Sequence, residues 1–182
     1  AIALAARSPD GNLLMNKEEA TNKLRNICKT PGETPEKIQF ARALIEKHQI
    51  DVNARYRDGK TLLYWAARNG QLAIFNLLLE KGADIHAELK NKETLLHAMA
   101  ESGSVERCRL LLKQGLEVNA RDIDKRTPLH LAAEKGHRDV CDVLIMKGAE
   151  INTRNKWKST PLHMAVYARK IEVCGLLADR GA

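Results

Sequence analysis

Thr127-Pro128-Leu129-His130-Leu131-Ala132-Ala133 is the stretch that the rest of the chain copies. Close copies stand at Thr94-Leu95-Leu96-His97 and Thr160-Pro161-Leu162-His163, and a looser one at Thr61-Leu62-Leu63-Tyr64. The four threonines are 33 residues apart. The same step relates Gly82, Gly115, Gly148 and Gly181, and also Val52-Asn53, Ile85-His86, Val118-Asn119 and Ile151-Asn152. Three features with one period imply stacked units, each too small to bury its own apolar face.

Each position has a physical reason. Thr127 suits a helix N-cap, and Pro128 suits the first helical position, where no N–H is needed. Ala132 and Ala133 keep the helix slim, so that a neighbour can approach. Gly136 and Gly148 suit the left-handed residues that end helices. Between them Val140, Val143, Leu144 and Ile145 recur at helical spacing. One unit therefore reads as short helix, turn, second helix and glycine-punctuated loop. With these residues the chain resembles the ankyrin-repeat family, whose unit has the same length and carries T-P-L-H-x-A. The resemblance covers residues 39–182. It implies an all-α solenoid of stacked helix-turn-helix units with short β-hairpin loops.

Read in order, residues 1–15 carry no clear assignment. Leu4-Ala5-Ala6-Arg7 faintly echoes Leu131-Ala132-Ala133-Glu134, and Ser8-Pro9-Asp10-Gly11 breaks it. Residues 16–52 read as an atypical capping repeat. Asn16 and Glu19 have the spacing of a capping box. Ala20, Leu24, Ile27 and Cys28 form one stripe; Thr30-Pro31-Gly32 ends that helix; Thr34-Pro35 opens another, with Ile38, Ala41, Leu44 and Ile45 inward. Four better repeats are expected at 53–85, 86–118, 119–151 and 152–182. The chain lacks an initiator Met and stops at a repeat boundary, so we expect a piece of something longer.

Composition narrows the function. No apolar run is long enough to span a bilayer, and residues 1–6 lack the basic flank of a signal peptide. Cys108, Cys141 and Cys174 share the 33-residue step, with Phe75 in the earlier copy. Stacked helices lie about 8–10 Å apart, too far for a bridge, which needs Cα atoms within about 7 Å. A buried apolar ladder and a reducing intracellular setting follow: the cytoplasm, the nucleus, or a host cytosol if the chain is a secreted effector. His97, His130 and His163, one repeat apart, cannot share a metal ion; each ring is expected to bond backbone of its own or the next unit. No C-x-x-C, H-E-x-x-H, G-x-S-x-G or phosphate-binding glycine loop occurs. We expect no active site, no metal and no cofactor.

Two departures stand out. Arg169 replaces the glycine found at Gly70, Gly103 and Gly136. Arg107 sits where Ile74, Val140 and Val173 are apolar; it must reach water or a carboxylate, Glu106 or Glu134 being within range. Val173, Cys174 and Leu177 have no following unit in this sequence, and some of that surface is expected to be exposed.

The stretches before each motif threonine, 54–60, 87–93, 120–126 and 153–159, differ from one another while the helices stay similar. In the family this stretch is a hairpin finger, and its tip forms a concave binding face with the first helix. The four windows hold 11 Lys and Arg against 5 Asp and Glu, a net +6 of the chain's +7. Partner-binding residues are therefore expected at Arg55, Arg57, Asp58, Lys60 and Arg68; at Lys90, Asn91, Glu93 and Glu101; at Ile123, Asp124, Arg126 and Glu134; and at Lys156, Trp157, Lys158 and Tyr167. Trp157, between two lysines, reads as an anchor, whereas Trp65, in the place of Ala98 and Leu131, reads as half-buried packing. The expected function is a non-catalytic, monomeric module or scaffold that binds a protein partner with an acidic segment. The rival readings are nucleic-acid or phosphate recognition by the basic fingers, and a substrate-docking arm for an enzyme or microbial effector whose catalytic domain lies elsewhere.

Overall fold

The computed structural model describes residues 15–56 and 59–182. The readings of residues 1–14, and of Arg57 and Asp58 as binding residues, lie outside the described residues.

The described chain forms helices in pairs. The first pair is α1 (Lys17–Lys29) and α2 (Pro35–His48). Then follow α3 (Leu62–Arg68) with α4 (Leu72–Glu80), α5 (Leu95–Glu101) with α6 (Val105–Lys113), α7 (Pro128–Lys135) with α8 (Arg138–Met146), and α9 (Pro161–Tyr167) with α10 (Ile171–Asp179). The starts follow the capping logic of the sequence. Asn16 Oδ1 accepts from Glu19 N–H (2.8 Å), and Asn16 N–H donates back to the Glu19 carboxylate (3.3 Å). Thr34 caps α2 through Lys37 N–H (3.2 Å). Thr61, Thr94, Thr127 and Thr160 all stand in extended backbone at the N-caps of α3, α5, α7 and α9.

First helices pack on first helices, α1 on α3 through to α9, and second helices form a parallel row behind them. Helices of only two turns cannot bury enough surface alone, so the interior is made by stacking. Leu63, Leu96 and Leu129 are buried along one row, and Leu78, Leu111, Leu144 and Leu177 along another. Phe75, Cys108 and Cys141 are buried at one register, Cys174 is partly buried, and all four cysteines are free. The asparagines tie each unit to its closing loop. Asn53 Nδ2–H donates to Gly82 O (2.9 Å) and its Oδ1 accepts from Asp84 N–H (2.7 Å); Asn119 does the same with Gly148 O (3.1 Å) and Glu150 N–H (2.9 Å). His86, at the equivalent place, makes no such side-chain bond among the described residues.

The structure makes three expectations more specific. Val173 and Leu177 are buried within the last pair and Cys174 is half-buried, while Val166 and Ile171 there are 57% and 84% exposed. Among the described residues Arg107 finds no carboxylate: its guanidinium donates to Ser104 Oγ (2.8 Å) and lies against Gly70, while Glu106 reaches Arg109 instead. The loops before the motif threonines form no strand among the described residues; each is held by one backbone bond across its ends and one within its turn. Arg169 does hold the left-handed conformation expected of it (φ 57°).

The stacking is loosest between the α3–α4 pair and the α5–α6 pair, in both rows. Tyr64 stands there in place of a ladder histidine, and Arg107 in place of an aliphatic side chain.

Candidate functional site

The fingers are built from short polar side chains. Tyr56 N–H donates to Lys60 O (3.1 Å), Leu89 N–H to Glu93 O (2.6 Å), Asp122 N–H to Arg126 O (3.0 Å) and Asn155 N–H to Ser159 O (2.9 Å). Buried Asp122 braces its tip by accepting from the Asp124 and Arg126 N–H groups through Oδ1 (2.9 and 2.8 Å). Buried Asn155 accepts in the same way from the Trp157 and Ser159 N–H groups (3.0 Å each). Neighbouring tips are joined, Ile123 N–H to Asn91 O (2.8 Å) and Lys156 N–H to Asp124 O (2.9 Å). The second, third and fourth tips therefore form one connected ridge.

Beneath it the histidines bind finger to helix. Thr94 N–H donates to His97 Nδ1 (3.2 Å), Thr127 N–H to His130 Nδ1 (3.1 Å) and Thr160 N–H to His163 Nδ1 (3.3 Å). An accepting Nδ1 leaves the proton on Nε2. His97 Nε2–H donates to Arg126 O (3.0 Å) and His130 Nε2–H to Ser159 O (3.1 Å), each on the next finger. Burial pulls the pKa of His97 and His130 below the ordinary histidine value, and the accepting carbonyls only partly offset it. These rings hold fingers in place as neutral groups.

The ridge is less uniformly basic than its composition implies. Arg126 pairs with Asp122 (2.8 Å) and more loosely with Glu93 (3.8 Å), Lys156 with Asp124 (3.7 Å), and Lys135 with Glu101 (3.3 Å). Lys60, Tyr64, Arg68, Leu89, Lys90, Glu93, Ala98 and Glu101 line a cleft of about 180 Å³ between α3, α5 and the second finger. Burial and the Glu101 charge push the Glu93 carboxyl above the usual carboxylate range, outweighing Arg126.

The expected residues divide by exposure. Arg55, Arg68, Lys90, Asn91, Glu101, Ile123, Lys156, Trp157, Lys158 and Tyr167 are exposed; Lys60, Glu93, Asp124, Arg126 and Glu134 are half-buried. Trp157, Ile123 and Tyr167 are 60%, 57% and 76% exposed, large apolar groups left in water. Trp65 is half-buried against the core, as its place in the motif implies. Of the residues around it, Lys60 and Arg68 were expected at the binding face, and Arg25, Lys29 and Tyr64 were missed. Lys29 Nζ stands 4.5 Å from the Trp65 ring centroid, and Lys60 Nζ 4.9 Å from both the Trp65 and Tyr64 rings. Arg25 lies 5.0 Å over Tyr56, and Arg68 Nη1–H donates to Tyr64 Oη (3.0 Å). The signal that could have found this cluster is Tyr64 itself, the one motif position where the histidine is lost.

No group of His, Cys, Asp and Glu suited to a metal ion is found among the described residues. Burial pushes the Cys28, Cys108 and Cys141 thiols up to about 12, the reverse of a nucleophilic cysteine. No helix among the described residues is long and apolar enough to cross a membrane.

A family model described as ankyrin repeats (3 copies) matches residues 12–89 and 84–155. No curated protein sequence matches the chain.

Proposed function

The chain belongs to the ankyrin-repeat family, and on that premise we propose that it binds a protein partner across the fingers and first helices, with Trp157 as the anchor. Repeats of this family are in general protein–protein interaction modules. One observation carries the finer reading. All five Tyr and Trp residues of the chain (Tyr56, Tyr64, Trp65, Trp157 and Tyr167) lie in fingers or first helices, and none in a second helix. Stacking does not ask for aromatics there, since the equivalent positions elsewhere hold His, Ala, Leu, Met, Asp, Asn, Glu or Arg. Tyr and Trp are the side chains that dominate binding energy at protein interfaces.

Trp157 is held for that role. Asn155 fixes its backbone, Lys158 beside it is left-handed (φ 63°), and its ring stays largely in water. A ridge already locked by tip-to-tip bonds loses little freedom on docking. Glu93, Glu101 and Asp124 stand beside cations of the fingers and first helices, which disfavours a continuous polyanion such as nucleic acid along them. The four free cysteines fit a reducing compartment, and the module works as a monomer without catalysis.

The test is comparative capture. Trp157→Ala combined with Lys156→Ala and Lys158→Ala is expected to remove a partner that the unaltered chain captures, at unchanged thermal stability. Retained affinity for that partner would refute the assignment.

A further inference from the structure

We propose that Lys92, Lys125 and Lys158 form a row that binds an acidic, extended segment of the partner, with a carboxylate at every third residue of that segment. This deepens, and rests on, the reading of the chain as a partner-binding module.

The three lysines stand one repeat apart, at the place where the first finger has Gly59. All three hold left-handed backbone, with φ of 60°, 57° and 63°, and Gly59 holds 73°. That conformation costs every residue except glycine, and Asn or Asp adopt it more readily than a long side chain does. Asn91, beside Lys92, is left-handed as well (φ 62°). Keeping an exposed tip wet asks only for Gly, Asn or Asp. Three fingers carry a lysine instead, where lysine is strained. Strain that recurs at exposed positions points to a use for the side chain held there.

The charge of the row is available. Lys92, Lys125 and Lys158 are exposed, and no carboxylate lies within 4.0 Å of them among the described residues. Their acidic neighbours in sequence face other cations, Glu93 at 3.8 Å from Arg126 and Asp124 at 3.7 Å from Lys156. The backbone beneath is fixed. Lys125 N–H donates to Asp122 O (2.9 Å) and Lys158 N–H to Asn155 O (3.0 Å). The bonds from Ile123 to Asn91 and from Lys156 to Asp124 keep the three tips in register.

The step of the row sets the spacing of its ligand. Neighbouring units lie about 8–10 Å apart, as packed helices do. In a polyproline-type extended chain, every third residue returns to the same face after about 9 Å. In a β-strand, residues three apart face opposite sides. Nucleic acid carries its charge more densely, about one phosphate per 3.4 Å of each duplex strand, and would run past Glu93 and Asp124. Charge complementarity and spacing together select an acidic peptide. The row ends at Lys158, next to Trp157, so the same segment reaches the anchor.

The experiment uses blocked synthetic peptides: three Glu-Pro-Pro units in tandem, the same composition with its glutamates contiguous, and three Gln-Pro-Pro units. Tetrathymidylate, with as many charges as the acidic peptides, is run beside them. Binding at low salt is followed by the amide chemical shifts of the isotopically labelled chain. The spaced glutamate peptide should bind about fivefold more tightly than the contiguous one, with shifts at all three lysines, and the glutamine peptide should not bind. Lys92→Gly with Lys125→Gly should weaken the spaced peptide about fivefold and raise the melting temperature, because glycine relieves the strain. Absence of saturable shifts, equal binding of the two glutamate peptides, tighter binding of tetrathymidylate, or a glycine variant with unchanged affinity or a lowered melting temperature would each overturn the proposal. Capture of a partner through Trp157 is scored separately on the unaltered chain, so failure of the peptides with capture intact removes only the lysine row.

Discussion

His130 donates through Nε2–H to the carbonyl of Ser159, 3.1 Å away on the following finger. The ring also accepts at Nδ1 from Thr127 N–H, and that second bond requires it to be neutral. His97 repeats the arrangement with Thr94 and Arg126. Two buried rings thus carry both the helix start and the position of the next tip.

Acid should loosen the array. Burial places the folded pKa of both rings below the ordinary 6.5. In the unfolded chain the same rings take up protons as the pH falls through that value, while the folded chain resists. Stability is full above it and declines below it, by up to about 1.4 kcal/mol per pH unit per ring until the folded pKa is reached. Urea midpoints measured from pH 7.5 to 5.5 should fall. A His97→Gln/His130→Gln variant, though weaker at neutral pH, should show a flatter profile. Parallel profiles would contradict the account.

His86→Asn should strengthen the third helix pair. Asn53 and Asn119 each make two bonds to their closing loops that His86 does not make. Restoring them is worth about 1 kcal/mol. Denaturant titration should show a higher midpoint with the same slope.

Arg169→Gly should stabilise the turn into α10. Arg169 holds φ 57°, and the matching turns use Gly70, Gly103 and Gly136. Relief of the left-handed strain, less the extra freedom glycine gains when unfolded, leaves about 0.5–1 kcal/mol. A lowered melting temperature would show that the arginine makes a compensating contact.

Arg107→Val should tighten the loose seam. Burial and the Arg68 charge lower the Arg107 pKa, so its charge is held at a cost, and among the described residues only Ser104 accepts from it. Ile74, Val140 and Val173 show that the position favours an aliphatic side chain, each at most 1% exposed. A gain of about 1 kcal/mol is expected, and slower hydrogen exchange in α4 and α6 would localise it.

The periodic part of the molecule could be read directly, because whatever stacks must recur. Thr127, Gly148 and Asn119 announce cap, turn and loop tie at a fixed step. Arg169 announced its own strain by standing in a glycine's place. The charge map could not be read that way. Whether Lys156 meets Asp124, or Arg126 meets Asp122, depends on how tips lie side by side, and composition alone made the ridge look more basic than it is. The Trp65 cluster escaped for a related reason. It needs Lys29 from α1 and Lys60 from the first finger to reach a ring on α3, and no spacing rule links those segments.

The seam between α4 and α6 lies between Trp65 and Trp157. A row of plates yields first where its plates grip least, so this joint can act as a pivot. Opening or closing it would change the reach between the two aromatic ends without disturbing the contacts at either. Such compliance would let one rigid-looking ridge fit partner segments of slightly different length.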